Sequence, residues 1–136
     1  MRPAESILQE QVCSWLRLQY PDILFHSDYG SGLKMNMANA ILQKRLQKVR
    51  AWPDLFIAEP RGHYAGLFIE LKKLTSSEIL RNGEVGNTAH IREQQKVLDM
   101  LEGRGYKAVF SVGFDNTIKT IKNYLSLTSP KPLNEQ

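Results

Sequence analysis

Three ionisable side chains stand in two short apolar segments near the middle of the chain. Asp54 belongs to the segment 52–58, whereas Glu70 and Lys72 belong to the segment 66–72. Turn-forming residues separate the two segments, which predicts a β-hairpin. Since side chains alternate along a strand, Glu70 and Lys72 share one face. A hairpin in which residue i faces residue 124 minus i places Asp54 opposite Glu70, so two carboxylates and an ammonium would meet.

Two carboxylates that face each other predict a cation between them. Like charges directly opposite destabilise a sheet unless a positive charge compensates. Mg²⁺ prefers hard oxygen ligands such as carboxylates and often binds together with a substrate phosphate. Lys72 could hold or deprotonate a water there, or offset negative charge in a transition state. The alternative is a surface salt bridge between Glu70 and Lys72, with Asp54 in a turn.

A supporting acid is predicted near the beginning of the chain. Residues 4–19 have the apolar spacing of an amphipathic helix, and Glu5 falls on the same side as Leu8 and Val12. A carboxylate on a buried face needs a cation or a metal-bound water as its partner, which makes Glu5 a candidate site residue. The alternative is a charge that the helix dipole favours near a helix N-terminus.

Gln94 is the polar centre of an otherwise apolar helix face. The spacing predicts a helix over residues 90–101, and Gln94 lies in the middle of its apolar stripe. We therefore expect its side chain to face the sheet and to bond a site water, Lys72 or a phosphate. His90 lies near the same face one turn earlier, and a capping or loop histidine is the favoured interpretation.

The stretch between Asp28 and Asp54 contains no acidic residue and is strongly basic. Its positive charges are Lys34, Lys44, Arg45, Lys48 and Arg50. Such a block attracts polyanions, and together with Lys73 it forms the set of candidate contacts to a phosphate backbone. A solvated helix face without a partner is the alternative.

Most of this block falls in a predicted helix over residues 37–49. Its expected buried side consists of Ile41, Leu42, Leu46 and Val49. Lys44 and Lys48 would then lie on one side of the helix, four residues apart.

The elements around these residues predict an α/β fold. Their order is helix, weak strand, basic helix, strand, strand, helix, strand and helix, which favours a mixed central sheet flanked by helices. The weak strand begins near residues 23–25, and a strand over 107–112 precedes a last helix that Asp115 would cap. The segment 74–89 is polar and predicts a long exposed loop, of the kind that often covers a site.

Composition limits the class of protein. With 136 residues and a net charge of +4, the chain is expected to form one domain over residues 1–128 and a flexible tail over 129–136. A single cysteine forms no internal disulfide, which favours a reducing compartment. His26, His63 and Cys13 lack the spacing of a zinc site. Without a membrane-spanning apolar run or a signal peptide, we expect a cytoplasmic protein with no membrane partner.

Two short motifs resemble the catalytic signature of the PD-(D/E)xK nuclease superfamily. They are Pro53-Asp54 and, with its Glu sixteen residues after that Asp, Glu70-Leu71-Lys72. More narrowly, residues 5–127 resemble the stand-alone VRR-NUC (virus-type replication-repair nuclease) domains of phages and bacteria. The further matching positions are Glu5, Gln9, Trp15-Leu16, Gly66–Phe68, Gln94, Leu101 and Gly105-Tyr106. One departure is Arg50-Ala51-Trp52, because family members commonly carry a glycine shortly before Pro-Asp.

This resemblance implies a restriction-endonuclease-like core and the hydrolysis of DNA phosphodiester bonds, leaving a 5′-phosphate. Asp54, Glu70 and the Leu71 carbonyl would bind Mg²⁺ or Mn²⁺, and Lys72 would act on the attacking water. The supporting acid and the glutamine named above would complete the catalytic residues. Endonucleolytic cleavage of branched DNA, such as four-way junctions or flaps, is implied as well, in the DNA repair of bacterial or phage-infected cells.

Two alternatives stay open. A module with a nuclease fold could bind DNA or assist assembly without cutting, although such a binder gains nothing from paired carboxylates that face DNA. The composition also does not distinguish DNA from RNA as the substrate. For so small a chain we expect a homodimer, which would supply two active sites for two strands.

Overall fold

The computed structural model describes residues 4–28 and 36–130, with side chains from residue 6 onward. Its elements are α1 (Ala4–Gln19), β1 (Phe25–Ser27), α2 (Met37–Leu46), β2 (Leu55–Ile57), β3 (Leu67–Lys72), α3 (Ala89–Glu102), β4 (Lys107–Val112) and α4 (Gly113–Leu125). This is the predicted order. Lys34 and the tail residues 131–136 lie outside the described residues, as does the side chain of Glu5, whose backbone belongs to α1.

The four strands form one mixed sheet in the order β1-β2-β3-β4. β2 pairs antiparallel with both β1 and β3, whereas β3 and β4 are parallel and are connected through α3. In the β2–β3 hairpin, Leu55 faces Ile69 and Phe56 faces Phe68. These pairs follow the predicted register. All six residues of β3 are buried, so this strand lies at the centre of the fold.

Each face of the sheet packs against its own helices. One apolar cluster joins β2 and β3 to α1 and α4; its fully buried members include Val12, Leu16, Leu55, Ile57, Leu67, Ile69 and Ile121. The other cluster joins β3 and β4 to α3, through Phe68, Ala108, Val97 and Leu98. Because Phe68 lies on the α3 side and side chains alternate, Glu70 and Lys72 also belong to the α3 side. The hairpin faces predicted from the sequence are those of the structure.

The structure contradicts the predicted packing of the basic helix. α2 begins at Met37, where Asn36 Oδ1 accepts a hydrogen bond from Asn39 N at 2.8 Å, and it ends at Leu46. None of its residues is buried, and Ile41, Leu42 and Leu46 are 45%, 53% and 75% exposed. Helical spacing of apolar residues creates a buried face only where another surface covers it, and no part of the chain that the structure describes buries these residues.

Two further boundary predictions are wrong. Since α2 ends at Leu46 and Gln47 is extended, Lys48 does not share a helix face with Lys44. The last helix begins at Gly113, so Asp115 lies inside its first turn and does not cap it. The N-cap position is Val112, which has no side-chain cap hydrogen bond, although its N donates to Asn116 Oδ1 in the first turn at 2.8 Å.

Gly113 makes the sharp entry into α4 possible. Its φ is +79°, a conformation that favours glycine. A Cβ there would also lie 2.9 Å from Cγ of Leu74. Within the described ranges, no helix has the length and apolar character needed to cross a membrane.

Candidate active site

The two predicted carboxylates stand at one pocket. Asp54 directly precedes β2, and its Oδ2 accepts a hydrogen bond from Leu71 N at 2.8 Å. Glu70 is buried within β3. Both residues line a cavity of about 320 Å³, together with Lys72, Gln94 and the other residues Leu8, Gln9, Arg50, Ala51, Trp52, Leu71, Glu78 and His90. The structure thus brings together the hairpin residues and the helix residue that the sequence singled out.

α1 helps to hold the backbone of Asp54. Gln9 Nε2 donates hydrogen bonds to Ser27 Oγ and, at 2.9 Å, to the carbonyl of Asp28. Ser27 Oγ in turn donates to the carbonyl of Asp54 at 2.8 Å. The side chain of Gln9 therefore connects the first helix to the strand end that carries Asp54.

Gln94 faces the sheet, as its place in the apolar stripe of α3 predicts. Its Nε2 donates to Glu70 Oε1 at 2.9 Å, so its partner is a carboxylate rather than Lys72. Gln94 Oε1 is buried, and no described residue donates a hydrogen bond to it. Since buried acceptors are normally satisfied, this oxygen is suited to accept from a water in the pocket.

Lys72 is paired with a residue that the sequence did not single out. Its side chain is only 5% exposed, and its Nζ donates to Glu78 Oε1 at 2.9 Å. The other oxygen of Glu78 accepts from Thr88 Oγ1 at 3.2 Å and lies 3.1 Å from His90 Nδ1. His90 lies inside the first turn of α3, whose N-cap is Thr88, so the predicted capping or loop histidine is wrong. The only signal for Glu78 was its position in the loop expected to cover a site.

The pKa values of two acids, Glu78 and Asp28, shift in opposite directions. Burial acts to raise the pKa of Glu78, but the hydrogen bonds and charges of Lys72 and His90 outweigh it and hold this pKa below its ordinary value. Burial, aided by the negative charge of Asp54, raises the pKa of Asp28 above its ordinary value, although His26 opposes the shift. Asp28 N also donates a hydrogen bond to the Asp54 carbonyl at 3.1 Å, so Asp28 is a second acid beside Asp54 that sequence reasoning missed.

The donor set fits a hard divalent cation. Asp54 and Glu70 supply carboxylates on a pocket that Leu71 also lines, and Mg²⁺ and Mn²⁺ prefer oxygen ligands of this kind. In the described part of the chain, no three His, Cys, Asp or Glu side chains form a group that could hold a metal. The third predicted acid is Glu5, whose side chain lies outside that part.

The residues predicted to contact DNA do not all lie at the pocket. Arg50 is exposed and lines the pocket. Lys44 and Arg45 are exposed on the last turn of α2, and Lys48 is exposed just beyond it. Lys73 is half-buried directly after β3. Of the predicted contact residues that the structure describes, Arg50 is the one that lines the pocket.

A mixed sheet flanked by helices, with an acid before one strand and a Glu-x-Lys sequence on the central strand, is the α/β architecture of PD-(D/E)xK-like nuclease folds. A solved structure of a VRR_NUC domain protein is similar over 95% of this chain and 93% of its own, with a TM-score of 0.68 and 28% sequence identity. The predicted resemblance to VRR-NUC domains is thus confirmed. No family model matches the sequence, and no curated protein does.

Proposed function

We propose that this chain is a metal-dependent endonuclease that hydrolyses phosphodiester bonds in DNA. One observation carries the proposal: Asp54, Glu70 and Lys72 line one pocket, in a fold that a VRR_NUC domain protein shares. A pocket that pairs carboxylates with an ammonium suits a reaction in which a phosphate enters and negative charge develops.

Each residue has a task that its position supports. Asp54, Glu70 and the Leu71 carbonyl would hold Mg²⁺ or Mn²⁺, which supplies charge stabilisation at the scissile phosphate when bound. Lys72 lines the pocket, where its ammonium would orient the attacking water or a phosphate oxygen. Gln94 holds Glu70 through its 2.9 Å hydrogen bond and so orients that ligand. Cleavage would leave a 5′-phosphate.

The substrate we propose is branched DNA, such as a four-way junction or a flap. Exposed cations at the pocket, on the last turn of α2 and just beyond that helix would contact phosphates without reading bases. They are Arg50, Lys44, Arg45 and Lys48. A homodimer would supply one active site for each of two strands.

The test is cleavage of end-labelled linear duplex, flap and four-way-junction DNA in Mg²⁺, in Mn²⁺ and in EDTA. We expect cleavage of the branched substrates only when the metal is present. Equal cleavage in EDTA would overturn the metal dependence. Tight DNA binding without any cleavage would favour a non-cutting module, and cleavage of matched RNA alone would make RNA the substrate.

A further inference from the structure

We propose that Glu78 is a positioning residue that holds the Lys72 ammonium at the active site, an inference that rests on the proposed nuclease function. The two carboxylate oxygens of Glu78 bind different partners. Oε1 accepts from Lys72 Nζ at 2.9 Å, whereas Oε2 is bonded to Thr88 Oγ1 at 3.2 Å and to His90 Nδ1 at 3.1 Å. We call Glu78, Thr88 and His90 the lysine clasp.

Lys72 needs such a partner because of its own chemistry. A lysine ammonium is a compact charge on a flexible four-carbon chain, so its position depends on what binds it. At 5% exposure, the side chain cannot rely on water, and a buried charge without a partner is costly. Glu78 supplies a charge-assisted hydrogen bond that is both strong and directional.

The clasp is anchored to a regular element. Thr88 is the N-cap of α3, where its Oγ1 also accepts from Ile91 N at 3.2 Å, and His90 lies in the first turn of that helix. Through these two residues the start of α3 fixes Glu78. Gln94, four residues after His90 and so on the same helix face, fixes Glu70. α3 therefore orients the lysine and one of the acids together.

The loop before α3 is built to present Glu78. Glu78 N donates to Ser76 Oγ at 3.2 Å, and Gly86 N donates to the Glu78 carbonyl at 2.8 Å. An antiparallel bridge joins Ile79 to Val85, so the two sides of the loop run together as a small hairpin. A Cβ on Gly86 would lie 3.0 Å from the Glu78 carbonyl oxygen, which explains a glycine at this close approach.

Glu78→Gln tests the clasp in single-turnover cleavage with the full-length protein. We expect the rate to fall on the order of 10- to 100-fold, because a misplaced catalytic group has an effect of this size. DNA affinity, measured in Ca²⁺, should not change, since Glu78 acts through Lys72. The matched control is Glu84→Gln, the same change of charge at an exposed position in the same loop, which should cleave as the wild type does.

A double-substitution cycle separates positioning from a structural role. In a Lys72→Ala background, Glu78→Gln should lower the rate no further, because the residue it positions is gone. A further loss as large as in the wild-type background would overturn the proposal. So would an unchanged rate of Glu78→Gln in a protein that cleaves.

NMR of the Lys72 ammonium tests the clasp without cleavage. The signal, assigned by its absence in Lys72→Ala, should show an ordered side chain in the wild type and in Glu84→Gln but a mobile one in Glu78→Gln. An ordered Lys72 in Glu78→Gln would overturn the clasp. If the wild type cleaves no nucleic acid in either metal, the proposed function fails, and this measurement still decides whether Glu78 orders Lys72.

Discussion

Each ionisable side chain of the site is held by a group on a defined element. Leu71 N binds Asp54, Gln94 binds Glu70, and Glu78 binds Lys72, all at 2.8 to 2.9 Å. Reaction geometry depends on such supporting contacts, because a catalytic group must be held within roughly 0.5 Å of its productive position. Substitutions at this scale therefore change orientation as well as charge.

Asp54→Asn is expected to abolish cleavage with little loss of stability. The amide oxygen still accepts from Leu71 N, whereas the charge that a divalent metal requires is lost. Asp54→Ala also removes the acceptor and should lower the free energy of unfolding by about 1–3 kcal/mol. Single-turnover assays and urea denaturation measure the two effects. Asp115→Asn, in the exposed first turn of α4, is the matched control, and wild-type cleavage by Asp54→Asn would refute the metal assignment.

The lowered pKa of Glu78 predicts a pH-dependent contribution to stability. A carboxyl whose pKa is lower in the folded state stabilises fully above its unfolded pKa, and this contribution disappears as the pH falls through the folded value. Glu78→Gln should thus be less stable than the wild type at pH 7. The difference in free energy of unfolding should shrink once the pH is below about 4. Denaturation at pH 7, 5 and 3 measures it, and a difference that grows with acid would contradict the prediction.

The helices contribute to the protein in two ways. α3 covers one face of the sheet with apolar residues and places Gln94 and the lysine clasp at the pocket. α2 buries none of its residues and carries Lys44 and Arg45 on its last turn. A helix without a core-facing side contributes little to the packing of the domain, so its exposed charges are available to a polyanionic partner.

Lys44→Ala combined with Arg45→Ala is expected to weaken DNA binding in a salt-dependent way. Each lost phosphate contact lowers the slope of log affinity against log salt by about 0.9 for duplex DNA, so the slope should become shallower by roughly two. Salt titrations of binding in Ca²⁺ measure the slope. The control, Lys119→Ala with Lys122→Ala, removes two exposed charges from α4, which packs on the other sheet face. A slope equal to that of the wild type would mean a solvated helix face.

At the scale of the whole molecule, the pocket lies where residues from both sides of the sheet meet. The face covered by α1 and α4 forms the larger apolar cluster and the α3 face a smaller one, while α1 contributes Gln9 and α3 contributes Gln94 to the lining of the pocket. One chain then offers one pocket lined by the proposed ligands. Paired cuts across a branch point require a second copy.

We therefore predict a homodimer that makes paired incisions. Light scattering should give a mass of twice 15.6 kDa at the concentrations that cleave a four-way junction. Mixing wild type with an excess of Asp54→Asn should leave mainly singly nicked junctions, because most dimers would then hold at most one competent site. A monomeric mass together with unchanged paired incision would overturn the prediction.

The sequence by itself determined the order of the elements, the hairpin register and the sheet face shared by Glu70 and Lys72, as well as the inward direction of Gln94. All of these features depend on the spacing of apolar residues along short stretches of sequence, because that spacing determines which side of a helix or strand is apolar. Only the tertiary structure decided that no residue of α2 is buried among the described parts of the chain and that Glu78 binds Lys72. The burial of a helix depends on whether a distant part of the chain packs against it, and the contact between Glu78 and Lys72 depends on the path of a loop. Local spacing of residues encodes neither.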